Sequence, residues 1–490
     1  MKSSTRRPLR TWSILLAALI TLLTLSAIAL KWFWPEDELQ QQLTQHTSEW
    51  LGVPINIRGD IALTFWPRPG IQAEAVTLGP ESPPDSDTPA LAELSSLTLA
   101  VRWLPLLRGR LVPDALLLNA PILHLEDGAS TLLSLGPEPD DNGPRRESAP
   151  FDLRVHDGEI HWHDKARELQ LSITGLDLTS TGWRWSSPAD DQHPLAGTSM
   201  DLSASIDSLR LNALTLSDLT FDLNGENGVF HIDNGKMNLL QSHGTGEATL
   251  DFSSSPPTGT LNLDFDAVNL AHLPDAWLPG GSTSGTVVLR ASLESQGRQT
   301  DELWRHLNGH VQLSGQNLVL RGVDLDAELA QYHRTQRFSL VDAAAVAFVG
   351  PAWLLATKGS DFARLLGTAD GGETHITQLV SDWEIKNGTA LTRDVALATA
   401  KNRLAAQASL DLANQRINHA TVAAIDQRGC AVLEQTMHGP FSAPQTEPPN
   451  AVEELLGAPI DLLRRGLNAI TGGKTDCEVF YQGTVAAPAT

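Results

Sequence analysis

The feature that most narrows the fold is a two-residue rhythm of apolar and polar positions that runs through most of the chain. Ile55 and Ile57, then Ile61, Leu63 and Phe65, alternate with polar or small residues. Side chains of a strand point alternately to its two faces, so this rhythm marks half-buried strands. It returns in residues 97–101, 116–118, 122–125, 169–173, 176–178, 202–206, 219–223, 261–265, 287–289, 311–313, 318–320, 395–397 and 410–412. Between these runs stand Asp127-Gly128, Asp157-Gly158, Asn224-Gly225, Asn227-Gly228, Asn234-Gly235 and Asn387-Gly388. Such pairs tolerate the positive φ of tight hairpins, so each reads as a turn. The pattern predicts a mainly β chain built as an elongated, curled antiparallel sheet with a few short helices. A compact sandwich would bury the apolar face against a second sheet. A curled sheet would keep it as a groove, and aliphatic inward faces would suit acyl chains, at about 0.8 kcal/mol per buried methylene.

The N-terminus obeys a different rule. Lys2, Arg6, Arg7 and Arg10 precede an uncharged apolar run from Thr11 to Leu30. Twenty helical residues span about 30 Å, the thickness of a bilayer core. Lys31 closes the run, and Trp32, Phe33 and Trp34 follow as rings suited to the membrane interface. The basic cluster predicts a cytoplasmic N-terminus, leaving about 455 residues on the far side. The alternative is a cleaved signal peptide, since Ala27-Ile28-Ala29 has the required small-x-small spacing. The run is longer than the roughly 7–15 residues of a signal h-region, which favours an uncleaved transmembrane anchor. In either case the body is exported.

Five segments follow: residues 1–34, tail and anchor; 35–150, a first β-region opened by a helix after Pro35; 151–299, a central β-region; 300–440, a third β-region with short helices; and 441–490, a linker, an amphipathic helix over Glu453–Ile470 and a terminal strand. Two cysteines occur, Cys430 and Cys477, both in the exported part. In an oxidising compartment two lone cysteines often pair, which would stabilise by about 3–4 kcal/mol; the alternative is two buried thiols.

The chain carries 35 Lys plus Arg against 58 Asp plus Glu, a net charge of −23 that repels nucleic-acid backbones. His156, His161 and His163 lie close in sequence, with His161 and His163 on one strand face, the spacing of a metal pair. Polar positions on the solvent face of a hairpin turning at Asp157-Gly158 explain them more simply, and no metal is expected. Gly472-Gly473-Lys474-Thr475 ends like a phosphate loop, but Asn468 stands where the pattern needs glycine. No nucleophile or metalloprotease signature occurs. No catalytic residue, enzymatic activity or cofactor is expected.

Several stretches resemble the AsmA family of Gram-negative envelope proteins. They are the anchor and helix leading into residues 51–57 and Gly59-Asp60-Ile61, then Phe65-Trp66-Pro67, then residues 105–109. Further on come Leu307-Asn308-Gly309 with residues 320–325, Gly429-Cys430-Ala431 and residues 477–483. The last two look like the paired cysteine motifs of one branch. The resemblance implies a single-pass inner-membrane protein with a β-rich periplasmic region, acting in outer-membrane assembly and phospholipid homeostasis. It also implies an architecture similar to bridge-like lipid-transfer proteins. The expected partners are the inner membrane, phospholipid and outer-membrane assembly proteins. The rival expectation is a chaperone-like scaffold for outer-membrane proteins that carries no lipid.

Overall fold

A computed structural model of the chain describes residues 54–64, 68–79, 90–126 except 109 and 111, 148–186 except 166–168, 193–273 except 213, 282–330 except 323 and 328, 372–451 except 448 and 449, and 477–488. The expected anchor with Lys2, Arg6, Arg7, Arg10, Trp32, Phe33 and Trp34 lies outside the described residues, as does the helix expected over Glu453–Ile470. Among the described residues no helix is long and apolar enough to cross a membrane.

Among the described residues twenty-three strands form one sheet. In chain order they are β1 (Ile55–Ile57), β2 (Ile61–Thr64), β3 (Gly70–Leu78), β4 (Ala92–Val101), β5 (Pro113–Asn119), β6 (Ile122–Glu126), β7 (Phe151–Asp164), β8 (Leu169–Trp185), β9 (Thr198–Leu211), β10 (Leu214–Glu226), β11 (Val229–Leu239) and β12 (Ser242–Asp251). There follow β13 (Thr258–Asn269), β14 (Ser282–Ser284), β15 (Thr286–Gln296), β16 (Asn308–Arg321), β17 (Glu373–Lys386), β18 (Thr389–Thr399), β19 (Arg403–Asp411), β20 (Arg416–Ile425), β21 (Ala431–Pro440), β22 (Gln445–Thr446) and β23 (Asn450–Ala451). Short helices interrupt them, among them α1 (Trp103–Leu107) and α2 (Thr300–Arg305).

From β8 to β21 each long strand pairs antiparallel with the one before it, β13 passing directly to β15. β1 and β2 both pair with β3. β5 and β6, kinked apart at Ala120 (φ 42°), together fill the place between β4 and β7. Against them β7 runs parallel, and the connection that this requires falls in residues 127–147, outside the described residues.

Several of the Asn-Gly and Asp-Gly pairs do something other than turn. Asn227-Gly228 and Asn387-Gly388 do form the tight turns of the β10–β11 and β17–β18 hairpins. Asp157-Gly158 and Asn234-Gly235 instead lie inside β7 and β11, where the register slips, and Asn224-Gly225 lies in the paired body of β10. Asp157 (φ 53°) and Asn234 (φ 56°) spend their tolerance of left-handed backbone on bulges. The hairpin expected at Asp157 is thus one continuous 14-residue strand. Asp218 (φ 51°) makes a similar slip in β10, and β13 slips between Phe265 and Val268. A bulge bends its strand and increases local twist, so the series curls the sheet.

Two regimes of burial result. In the first, direct cross-strand neighbours Ala73, Leu97, Leu118, Val155, Leu178, Ala204 and Phe221 form one apolar row, aliphatic but for Phe221, across seven strand positions on the inner face. Most of these side chains are half-buried, with sheet on one side only. In the second, from β11 onward, the inner faces meet. Leu239, Phe265, Val311, Trp383, Leu404 and Met437 belong to one buried cluster. Leu325 and Leu329, on the segment after β16, insert into it, and Leu325 N–H is held by Thr374 Oγ1 at 2.9 Å.

Candidate functional site: an apolar cavity in the curled sheet

The inner face is not filled everywhere. Between β10 and β17, strands six ladder steps apart line a single cavity of about 250 Å³. Its walls are Leu214 and Leu216 of β10, Leu239 of β11, Leu261, Leu263 and Phe265 of β13, Leu289 and Leu293 of β15, Leu313 of β16 and Leu379 of β17, among others. Registers explain the lining: Leu289 stands directly opposite Phe265 on one side and Leu313 on the other. Of the lining residues only Thr283 has a polar side chain, and its Oγ1 donates to Leu270 O at 2.7 Å. The cavity therefore offers hydrocarbon contact and no hydrogen-bond partner.

β12 is the reason the site is hollow. Its inner positions are Ser242, Gly244, Gly246 and Ala248, with Leu250 only at the far end. The Phe265 ring lies over Gly244, where any Cβ would collide with it, and the Met237 methyl sits over Gly246. A stretch of strand without large inward side chains leaves volume that its neighbours only partly reclaim.

The outer face is built differently at the C-terminal end. Ala396, Ala398, Ala405 and Ala423 on the outer face of β18–β20 are buried under residues 477–488, with Tyr481 and Val485 in the same cluster. That strap is fixed at one point by the Cys430–Cys477 disulfide, Cα atoms 6.1 Å apart. Gly429, at φ 87°, lets the Tyr481 carbonyl approach where a Cβ would block it. Further along, Tyr481 Oη donates to Asp394 Oδ1 at 2.6 Å, while Thr484 N–H and Oγ1 both donate to Oδ2 at 2.8 and 2.7 Å. Burial, with that hydrogen bond to Asp394, pushes the Tyr481 hydroxyl well above the usual phenol range, so it stays a donor. Arg403 lies over the Tyr481 ring and donates to Val485 O at 3.0 Å. Asp394→Ala removes the acceptor of all three bonds. It is expected to lower unfolding free energy by about 2–3 kcal/mol in urea titration, with Asp394→Asn costing less.

The three histidines do not converge. His156 Nδ1 meets Asp177 Oδ1 at 2.6 Å. His161 Nε2 meets Glu159 Oε2 at 3.1 Å, and its ring stacks on His124 at 5.4 Å. Among the described residues no three His, Cys, Asp or Glu side chains are grouped to hold a metal ion. The hydrogen bond and charge of Asp177 raise the His156 pKa, and the same hydrogen bond lowers that of Asp177. The histidine's contribution is complete below about pH 6.5 and fades as pH rises through its raised folded value; the carboxylate's is complete above about pH 3.9 and is lost as pH falls through its lowered one. Proton NMR titration should place His156 above an ordinary histidine, and Asp177→Asn should return it toward about 6.5.

Comparison with known families decides the kinship. The AsmA family model matches residues 7–181 and 164–395, most of the chain. This chain belongs to the AsmA family. The matched part contains the row of half-buried aliphatics and the cavity. The disulfide and the strap lie beyond the last residue that the family match reaches. No curated protein matches the chain significantly.

Sequence reasoning found the cysteines and six of the fourteen lining leucines but missed the cavity and the Asp394–Tyr481 clamp. Neither leaves a local pattern: the first needs seven strands to curl, and the second joins residues 87 apart.

Proposed function

We propose that this AsmA-family chain is a non-catalytic, inner-membrane-anchored periplasmic protein of outer-membrane biogenesis, and that its curled sheet binds or transfers phospholipid by the acyl chains. The observation that carries the reading is the cavity with no polar group to offer. Apolar lining left uncovered costs about 25 cal/mol per Å² that a guest would bury, and Leu261, Leu263 and Leu289 are open on one side. An apolar cavity of about 150 Å³ already stays dry and takes up apolar guests. Hydrocarbon is the guest that recovers this cost, and the aliphatic row on β3–β10 extends the same surface beyond the cavity. Family membership supports the envelope setting. The Thr11–Leu30 run and its basic flank support the anchored topology.

The test is mass spectrometry of lipid bound to the full chain purified in mild detergent. Phospholipid near one or more molecules per chain after prolonged washing is the expected result. A folded chain free of lipid would overturn lipid carriage and leave the assembly scaffold as the working mechanism.

A further inference from the structure

Helix α1 stands apart from the rest of the described surface. Leu107 is 77% exposed, Leu104 69% and Trp103 43%, the three most exposed large apolar side chains among the described residues. They share five residues between β4 and β5, so they form one knuckle and are not scattered surface apolars.

Charge singles out the same place. No acidic residue occurs from Leu94 to Pro113, while Arg102, Arg108 and Arg110 do, in a chain of net charge −23. Arg102 is held at the base of the knuckle by Asp114 at 3.3 Å and by Pro150 O. Arg108 and Arg110 are exposed beside Leu107. An apolar tip with a tryptophan, ringed by arginine, has the composition of an interfacial membrane element. The rest of the acidic surface would be repelled by an anionic bilayer, so contact would be confined to this point.

Position agrees. α1 follows β4 at the end where β3 begins and the edge strand β2 finishes, two strand spacings or on the order of 10 Å from Thr64, while β1 lies on the same edge at the other end of β3. The apolar run ends at Leu30 and the described chain starts at Pro54, so 23 residues join any anchor to that edge. That is ample length for the edge to lie close to the bilayer.

We propose that α1 is a second membrane contact, inserting Leu104 and Leu107 into the interface of an anionic phospholipid bilayer while Arg108 and Arg110 engage lipid phosphates. Two points of attachment, anchor and knuckle, fix which edge of the sheet faces the membrane and hold the start of its apolar inner face against it. The proposal rests on the anchored topology above, and its test separates the two.

A Leu104→Cys chain keeps its native cysteines in the disulfide and accepts a polarity-sensitive fluorophore at residue 104. The labelled full chain is reconstituted in nanodiscs of phosphatidylcholine alone or with phosphatidylglycerol, and Leu303→Cys, on α2, serves as the control site. Failure of the anchor shows as chain absent from the disc fraction. In disc-bound chain the expected result is a blue-shifted residue 104 label quenched by nitroxide lipids, more strongly with phosphatidylglycerol, and a control label still in water. Arg108→Glu with Arg110→Glu should lower the inserted-to-free ratio roughly tenfold. A residue 104 label in water in both lipids, or one shielded without lipid quenching because a second copy covers it, overturns the proposal.

Discussion

Leu263→Asp combined with Leu289→Asp should strip phospholipid from the purified chain. Both side chains line the cavity, and both are only half-buried, so the folded sheet should survive. A carboxylate facing this lining finds no donor, and desolvating it costs several kcal/mol unless it takes up a proton. Bound lipid at neutral pH should fall at least tenfold, since each 1.4 kcal/mol is a factor of ten. Apolar surroundings raise the carboxyl pKa, so lipid retention should partly return as pH is lowered toward about 5. Unchanged lipid in a folded double variant would show that the cavity is not where lipid resides.

The second large effect is expected at the C-terminal strap. Cys430→Ser with Cys477→Ser opens a link between positions 47 apart. By chain entropy this lowers stability by about 3–4 kcal/mol. The loss should be larger than for Asp394→Ala, because the clamp survives the cysteine change only while the strap stays in place. Release of the strap uncovers Ala396, Ala398, Ala405 and Ala423, so the reduced chain should also bind a hydrophobic dye that the oxidised chain excludes. Thermal unfolding with and without reductant checks both.

Strands with leucine on one face were legible because each obeys the two-residue period by itself. β4, β9, β13 and β15 are of this kind. β12 escaped notice because Gly244 and Gly246 erase the apolar half of the alternation. β20 and the first half of β19 were obscured for the opposite reason. The strap buries their outer face as well, so Leu404, Ala405 and Ala406 are apolar in succession and the period disappears. The misplaced turns share one cause. Asn and Asp before glycine announce left-handed backbone, and a bulge uses that backbone as readily as a hairpin does. The cavity itself was out of reach, since it depends on which leucines face each other after curling and not on any one run of sequence.

The repetition of the lining has a consequence for motion. One strand spacing along the sheet is about 4.8 Å, and apart from β12, with its small inward residues, each rank presents much the same methyl groups. A hydrocarbon displaced by one rank exchanges one set of contacts for an equivalent one, and no hydrogen bond has to break. The energy profile along the axis is therefore shallow, and the wall itself imposes no direction. Any net flow would be a downhill drift, set by whatever loads one end and unloads the other.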